Sequence, residues 1–258
     1  MARIIAIANQ KGGVGKTTTA VNLGASLAAD GRKVLVVDID PQGNASSGVG
    51  VPMAELEQGV YDILINGVAA EQIVRSTDIE TLWVAPANRD LAGASLELAS
   101  LEAAHTRLRE QLAPIRDRYD YIVIDCPPSL DLLTINGLTA ADSVLIPVQC
   151  EYYAMEGLSK LVETIEMVRD SLNEQLTIEG ILFTMYDPRN NLSGQVVNEV
   201  RGYFTDKVFE TMIPRNIRLS EAPSFGQPCI LYDIASRGSQ CYLQLARELE
   251  SRHPAEAA

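Results

Sequence analysis

A glycine-rich segment with two lysines lies near the start of the chain, between an apolar run and a stretch that favours helix. Glycines let a backbone turn tightly, so that successive N–H groups point at one anion, and a following helix adds its positive dipole end. A lysine at the helix start can neutralise the β- and γ-phosphates of a nucleoside triphosphate, and a hydroxyl next to it suits Mg²⁺. The sequence therefore predicts a phosphate-binding loop made of Lys11, Gly12, Gly13, Val14, Gly15, Lys16, Thr17 and Thr18, with Lys16 on the phosphates and Thr17 on Mg²⁺.

The loop departs from the usual phosphate-loop pattern GxxxxGK[ST], because Gln10 stands where the first glycine is expected. It carries a second lysine instead, Lys11, five residues before Lys16. Two lysines that flank one loop are not expected to reach the same phosphates from within one subunit. Lys11 is therefore predicted to point toward a nucleotide held by a second copy of the chain. The alternative, a solvated surface lysine, stays open at this point.

Three aspartates stand at the ends of apolar runs. Asp38 and Asp40 follow Val34–Val37, and Asp125 ends the run Tyr121–Ile124. In open α/β sheets the carboxyl ends of the strands form the ligand-binding edge. Hydrolysis of a triphosphate needs a group that orients the attacking water and carboxylates that hold Mg²⁺. One aspartate near the terminal phosphate could orient the water, and Asp125 is predicted to hold Mg²⁺. The alternative for the first pair is two aspartates that cap a loop.

Short β-branched runs alternate with longer helical stretches, a pattern that predicts a doubly wound α/β fold with a mostly parallel sheet. Several of the runs are apolar at every position, as in strands that are buried on both faces. The predicted strands are Arg3–Ala8, Val34–Asp38, Thr81–Ala85, Tyr121–Asp125, Ser143–Val148 and Ile178–Thr184. The predicted helices are Lys16–Ala29, Asp90–Leu112, Leu132–Ala140, Glu156–Leu172, Leu192–Phe204 and Ser236–Ser251.

The 258 residues show no linker and no internal repeat, so residues 1–258 are expected to form a single ATPase domain. A formal net charge of −13 argues against a protein that coats nucleic acid with its whole surface, although it allows a local basic patch. The four scattered cysteines form no CxxC pair, which favours reduced thiols. No apolar run is long enough for a membrane span, so a cytoplasmic location is expected.

At residues 11–18 and 38–44 the sequence resembles the ParA/MinD ATPases, whose phosphate loop KGGVGKTT is called a deviant Walker A motif. The resemblance implies a P-loop NTPase fold, ATP and Mg²⁺ as ligands, and a face-to-face homodimer that encloses two ATP molecules. In that dimer Lys11 would contact the nucleotide of the other subunit. The second aspartate of the family's DxDPQGN motif matches Asp40, which implies that Asp40 orients the attacking water and, with Asp125, contributes to the Mg²⁺ site. The loop that packs the adenine matches Pro214 and Asn216.

Three longer stretches, residues 125–142, 147–161 and 213–233, resemble the chromosomal ParA, or Soj, branch of this family. The resemblance implies a nucleoid-associated, ATP-bound dimer that binds double-stranded DNA without sequence preference. It also implies a centromere-binding partner of the ParB/Spo0J type that stimulates slow ATP hydrolysis. The first strand begins at Arg3, so no N-terminal helix-turn-helix extension is expected. The candidate DNA contacts are Arg189 and Arg218 first, then Arg215, Lys207 and Arg201.

Three other functions remain open at this point. A ParA-like ATPase could position a different cargo, and nothing in the chain separates that role from chromosome or plasmid segregation. A MinD-like regulator of division would cycle on the membrane through a basic C-terminal helix, which the proline and acids of residues 249–258 do not suit. A carrier of an iron–sulfur cluster would need a second cysteine at the right distance from Cys126.

Overall fold

Seven strands form one sheet at the centre of the protein, which a computed structural model describes for residues 1–151 and 154–253. The strands are β1 (Arg3–Ile7), β2 (Val34–Asp38), β3 (Arg75–Ser76), β4 (Leu82–Ala85), β5 (Tyr121–Asp125), β6 (Ser143–Gln149) and β7 (Thr177–Thr184). Their order across the sheet is β3-β4-β2-β5-β1-β6-β7, and every pairing is parallel except that of β3 with β4. The predicted α/β fold class and mostly parallel sheet are confirmed.

Helices cover both faces of the sheet. They are α1 (Lys16–Ala29), α2 (Asn44–Gly48), α3 (Ala70–Ile73), α4 (Ala94–Leu98), α5 (Arg107–Leu112), α6 (Leu132–Ala140), α7 (Ala154–Ser171), α8 (Asn191–Phe204), α9 (Ile217–Glu221), α10 (Cys229–Tyr232) and α11 (Arg237–Arg252). Alternate residues of each strand feed the two cores: Val34 and Val36 pack with α1 and α11, whereas Leu35 and Val37 pack with α5 to α8. This double burial explains why β2 is apolar at four successive positions.

The one long helix predicted over Asp90–Leu112 is wrong. The chain there forms a 3₁₀ turn at Arg89–Gly93, then α4, then an irregular stretch, and only then α5. Ala103 has a φ of 54°, a left-handed conformation that no continuous helix contains. The side chain of Asn136 fixes the break, because it accepts from the N–H of Leu108 and donates to the carbonyl of Ala104.

The short strand β3 was not predicted from the sequence. It contains two residues, pairs antiparallel with β4 at the edge of the sheet, and lacks an apolar run that would reveal it. The other six predicted strands are confirmed to within a residue at either end. The parallel strands thus deliver the chain segments after β1, β2, β5 and β7 to one edge of the sheet, where the predicted site residues lie.

Candidate functional site

The glycine-rich segment forms the turn between β1 and α1, as predicted. Gly13 and Gly15 have φ angles of 75° and 89°, which a residue with a side chain rarely adopts. Gly15 is also the residue that caps α1, and α1 begins at Lys16. The first N–H groups of this 14-residue helix therefore open into the loop, where an anion would be stabilised.

Asn9 holds the loop in place, a role that sequence reasoning missed. Its amide Nδ2 donates to the carbonyl of Pro147 at 2.7 Å, and its Oδ1 accepts from the N–H of Lys11 at 2.9 Å. The side chain is buried, and both of its ends are used. An asparagine directly after a buried strand was the available signal. Asn9 thus ties the start of the loop to the neighbouring strand β6.

Lys16 is buried and lies inside the loop. Its ammonium group donates to the carbonyl of Lys11 at 3.1 Å. Burial lowers the pKa of Lys16, and the nearby carboxylates of Asp125 and Asp40 oppose that shift. A buried ammonium group at the start of a helix, inside a glycine-rich turn, suits the β- and γ-phosphates of a triphosphate.

The side chain of Lys11 points away from Lys16. Its ammonium group forms an ion pair with the carboxylate of Glu151, which follows β6, and both side chains are about half-exposed. The structure therefore separates the two lysines of the loop, as the sequence predicted. It also supplies an intrachain partner for Lys11 that was not predicted. The expected contact with a second subunit stays a prediction.

Asp125 ends β5 directly beside Asp38 at the end of β2, and the two residues are register partners. Asp125 is fully buried, and among the described residues neither of its carboxylate oxygens has a hydrogen-bond partner. Burial raises the pKa of Asp125 well above its usual range and the charge of Asp38 adds to the effect, whereas the nearby Thr17 hydroxyl, outside good hydrogen-bond geometry, opposes it. An unsatisfied buried carboxylate is costly without a cation. The donor set therefore fits a Mg²⁺ ion, which prefers carboxylate and hydroxyl oxygens.

Asp38 has a different role from Asp125. One of its oxygens accepts from both the N–H and the hydroxyl of Ser46, at 2.7 and 2.6 Å, and the other accepts from the N–H of Asp40 at 3.2 Å. Burial still raises the pKa of Asp38 to about 6, with the bonds from Ser46 opposing the rise. Both oxygens are thus engaged in fixing the loop that follows β2. Asp38 therefore supports this loop.

Asp40 lies in the loop that Asp38 holds. Its Oδ1 accepts from the N–H of Gln42 at 2.9 Å, and only 6% of the residue is exposed. It lies near enough to Lys16 to interact with it electrostatically. The structure thus brings together Lys16, Asp40 and Asp125 at the mouth of the loop, as the sequence predicted. Their catalytic and metal-binding roles stay predictions.

A cavity of about 480 Å³ continues from the loop toward the C-terminal half of the chain. It is lined by residues from four segments: Gly15, Thr18, Thr184, Met185, Ile213, Pro214, Arg215, Asn216, Ile217, Leu219, Ser220, Pro223 and Tyr242. The mostly apolar wall and its position beside the phosphate loop suit a nucleoside. Pro214 and Asn216, the predicted adenine contacts, both line it.

Asn216 has a second role that limits what it can offer a ligand. Its Oδ1 caps α9 by accepting from the N–H groups of Arg218 and Leu219, so its amide nitrogen is the group that remains for a ligand. On the opposite wall Met185 has a φ of 50°, an unusual conformation for a residue with a side chain. Strained backbone of this kind is often found at ligand sites. Met185 was not predicted, because no sequence pattern marks such a position.

Three of the four predicted DNA-contacting arginines form ion pairs within the chain: Arg189, Arg201 and Arg218. The guanidinium of Arg189 forms a bidentate pair with the carboxylate of Asp187, at 3.0 and 2.8 Å. This pair lowers the pKa of Asp187 to about 2. Arg215 lies close enough to lower it further, so Arg189 and Arg215 share one region.

The remaining candidate arginines and the lysine are placed differently. Arg218 pairs with Glu221 at 2.7 Å and with Asp233 at 3.2 Å. Arg201 pairs with Glu210 at 2.9 Å, on the far end of α8. Lys207 lines a separate cavity with residues at the start of β7, and the start of a strand lies at the opposite edge of the sheet from the phosphate loop. The structure therefore does not bring Lys207 together with Arg215.

Two wider observations bear on the alternatives. Within the described ranges 1–151 and 154–253, no helix is both long and apolar enough to cross a membrane. In the same part of the chain no three histidine, cysteine or acidic side chains form a group that could hold a metal ion. The predicted absence of a membrane-binding C-terminal helix falls partly on residues 254–258, which lie outside the described residues.

Comparison with known proteins places this geometry in context. The AAA domain family matches residues 2–178. The chain is 59% identical over 249 residues to the sporulation initiation inhibitor protein Soj of Bacillus subtilis, a match that covers 96% of this chain and 98% of that protein. It is 57% identical over 250 residues to the chromosome partitioning protein ParA of Myxococcus xanthus, covering 97% and 88% of the two chains.

Solved structures show the same architecture with a nucleotide bound. The crystal structure of cobyrinic acid a,c-diamide synthase from Mycobacterium smegmatis, with bound ATP analog and magnesium, superposes with a TM-score of 0.84 at 37% sequence identity. The match covers 96% of this chain and 93% of that one. That relative therefore combines this fold with the two ligands that the loop and the aspartates fit here.

Proposed function

The chain belongs to the ParA/Soj family of partitioning ATPases, and from this premise we propose that it is an ATP-controlled dimerisation switch that acts on DNA. It is an ATPase that uses ATP and Mg²⁺. The proposal adds what ATP does: binding drives formation of a homodimer, the dimer binds DNA without sequence preference, and slow hydrolysis releases it. The output is segregation of a chromosome or plasmid.

The observation that best supports this proposal is that Lys16, Asp40 and Asp125 lie together at one loop. Among the described residues, none donates a hydrogen bond to the carboxylate of Asp125. The N–H groups of residues 12–18 and the ammonium of Lys16 bind the phosphates. Pro214 and Asn216 hold the base in the adjoining cavity. Thr17, Asp40 and Asp125 hold Mg²⁺, which supplies neutralisation of the charge that develops on the phosphates.

Asp40 orients the water that attacks the terminal phosphate. It is on a loop that Asp38 and Ser46 fix, and Gln42 holds its Oδ1, so its free oxygen is presented in one orientation. Positioning and electrostatic stabilisation provide most of the catalysis in phosphoryl transfer. A single positioned carboxylate therefore suits a slow ATPase.

Lys11 completes the site of the other subunit. In the single chain Lys11 pairs with Glu151, so formation of the dimer requires this pair to open. Each γ-phosphate then offers a stronger partner than one carboxylate, and the exchange favours the dimer only while ATP is intact. Hydrolysis removes that partner, and the subunits separate.

DNA binding is assigned to Arg189, Arg215 and Arg218, and a dimer presents two copies of each. In a chain of net charge −13, one subunit offers few phosphate contacts, so binding is weak and salt-sensitive until two subunits share it. The same acidic surface suits a basic segment on a ParB/Spo0J-type partner that stimulates hydrolysis. The dimer is thus nucleoid-associated, and the free chain is not.

Two other functions compete with segregation. A ParA-like ATPase that positions a different cargo would use the same switch, and a gene for a ParB-type protein beside this one would favour segregation. A MinD-like membrane cycle predicts ATP-dependent pelleting with liposomes. The relatives at 59% and 57% identity are named for sporulation inhibition and chromosome partitioning, which supports the first function.

The deciding experiment measures DNA binding of the wild type and of Asp40→Ala with ATP, with ADP and without nucleotide, over a salt series. We expect binding only with ATP, a persistent complex for Asp40→Ala, and an affinity that falls steeply with salt. Equal binding in all three nucleotide states would contradict the switch. Normal turnover by Asp40→Ala would remove its assigned role in orienting water.

A further inference from the structure

Thr184, the last residue of the edge strand β7, contacts the phosphate loop. Its hydroxyl donates to the backbone carbonyl of Val14 at 2.7 Å, and both residues are buried. Its methyl carbon lies 3.6 Å from the position that a Cβ atom would occupy at Gly15. This bond joins residues 170 positions apart in the sequence.

The bond sets the orientation of one peptide unit. The carbonyl of Val14 and the N–H of Gly15 belong to the same planar trans peptide, so they point in opposite directions. Because Thr184 holds the carbonyl toward β7, the N–H of Gly15 is directed away from β7, into the loop. Gly15, with a φ of 89°, has no side chain to resist rotation of this peptide, so the constraint must come from outside the loop.

Neighbouring contacts hold Thr184 itself in place. The carbonyl of Phe183 accepts from the N–H of Ile213 at 2.9 Å, and the N–H of Tyr186 donates to the carbonyl of Ile213 at 3.0 Å. Thr184 also pairs with Gln149 of β6. The hydroxyl is therefore mounted on a rigid strand end rather than on a mobile loop, as a positioning group requires.

We propose that Thr184 is a positioning residue for nucleotide binding, which fixes the Gly15 N–H toward the phosphates through its bond to the Val14 carbonyl. The inference rests on the proposed phosphate-binding role of residues 11–18. The N–H of Gly15 binds the phosphates alike in the bound substrate and in the transition state. Loss of the Thr184 hydroxyl therefore weakens binding and leaves the chemical step unchanged.

The test compares three variants of the full chain. Thr184→Val keeps the shape of the side chain and removes its donor, Thr184→Ser restores the donor, and Thr139→Val is the matched control. Thr139 is equally buried on α6, and no described residue partners its hydroxyl. For each variant the affinity for ADP is measured by calorimetry, and KM and kcat for ATP hydrolysis are measured together with the thermal unfolding midpoint without nucleotide.

We expect Thr184→Val to weaken ADP binding and raise KM by about tenfold, which is the effect of one buried hydrogen bond, with kcat within about twofold. Thr184→Ser should recover most of the affinity, and Thr139→Val should match the wild type. A merely structural role would lower the unfolding midpoint and kcat without raising KM. An ADP affinity of Thr184→Val within about twofold of the wild type overturns the inference. Failure of the wild type itself to bind ADP would instead contradict the proposed function.

Discussion

Asp38 and Asp125 occupy opposite positions in the same register pair, yet they have opposite hydrogen-bonding states. The oxygens of Asp38 are engaged by Ser46 and Asp40, whereas among the described residues those of Asp125 have no partner. Both carboxyls are fully buried, burial raises the pKa of each, and the charge of Asp38 raises the pKa of Asp125 further. Asp38 therefore stabilises the fold without a ligand, whereas Asp125 is suited to binding one.

Replacing Asp125 by asparagine should stabilise the protein in the absence of nucleotide and Mg²⁺. The change removes a buried charge that lacks a counterion and keeps the shape of the side chain. We expect a gain of about 1–2 kcal/mol, or an unfolding midpoint higher by about 2–6 °C. With ADP present, added Mg²⁺ should raise the midpoint of the wild type further and that of Asp125→Asn no further. Differential scanning calorimetry measures both effects.

The advantage of Asp125→Asn should depend on pH. A carboxyl with a raised pKa in the folded state binds more protons there than in the unfolded chain, so its contribution to stability is full at low pH and is lost as pH rises. The window opens at about pH 4, where an aspartate of the unfolded chain ionises, and extends upward to the raised pKa of Asp125 in the folded state. The difference between variant and wild type should grow across that window. As a control, Asp38→Asn should destabilise the protein, because it weakens the bonds to Ser46.

Replacing Lys16 by alanine should abolish ATP binding. Its ammonium group is buried in the loop and is held by the carbonyl of Lys11, so no other cation can take its place there. We expect a loss of at least about 100-fold in affinity, as for a buried charge-assisted bond. Titration with a fluorescent ATP analogue measures it, and Lys33→Ala, an exposed lysine before β2, is the control. Retained affinity would refute the phosphate-loop assignment.

The parts of the site that sequence could predict are those with a fixed spacing. The run of glycines and Lys16 specify a phosphate loop because the chemistry needs those residues next to one another. Asp125 was predictable because a buried strand delivers its last residue to the ligand edge. The same reasoning predicted six of the seven strands, since burial on both faces leaves an unbroken apolar run.

Features that depend on distant contacts could not be read in this way. The break before α5 is fixed by Asn136, about 30 residues later, whose amide engages both partners of one helical hydrogen bond, the N–H of Leu108 and the carbonyl of Ala104. The bond from Thr184 to Val14 and the pair of Lys11 with Glu151 join segments that only the completed sheet brings together. The strained φ of Met185 has no residue-type signature. Each of these is a consequence of tertiary structure that local pattern does not encode.

Replacing Glu151 by glutamine should strengthen ATP-dependent dimerisation. In the single chain Glu151 holds Lys11, and the proposed contact of Lys11 with the other subunit's nucleotide has to compete with this pair. Because the pair is about half-exposed, its opening costs about 1 kcal/mol or less in each subunit. Both pairs open in the dimer, so we expect dimer affinity to rise up to about 30-fold. Analytical ultracentrifugation with a non-hydrolysable ATP analogue measures the dimer.

The matched control for this change is Glu156→Gln. Glu156 lies in the first turn of α7 and pairs with Lys160 rather than with Lys11. Glu156→Gln removes the same charge from the same region. It therefore controls for the general reduction of charge repulsion between two acidic chains. Equal effects of the two variants would show that net charge, and not release of Lys11, controls dimerisation.

Changing the Asp187–Arg189 pair should alter DNA binding in opposite directions. Arg189→Glu removes a phosphate contact and adds a repulsive charge in each subunit, so we expect at least about tenfold weaker binding of the ATP-bound dimer and a shallower salt dependence. Asp187→Asn keeps Arg189 and removes the carboxylate that occupies its guanidinium, so DNA phosphates no longer compete with it. Binding should then strengthen by about two- to fivefold at low salt, as expected for an exposed pair.

Fluorescence anisotropy with a random-sequence duplex measures both, and Arg118→Glu, at the opposite edge of the sheet, controls for the change in net charge. Unchanged affinity in Arg189→Glu, with dimerisation intact, would remove Arg189 from the DNA surface. Weaker binding by Asp187→Asn would show instead that the carboxylate positions the guanidinium for DNA rather than occupying it.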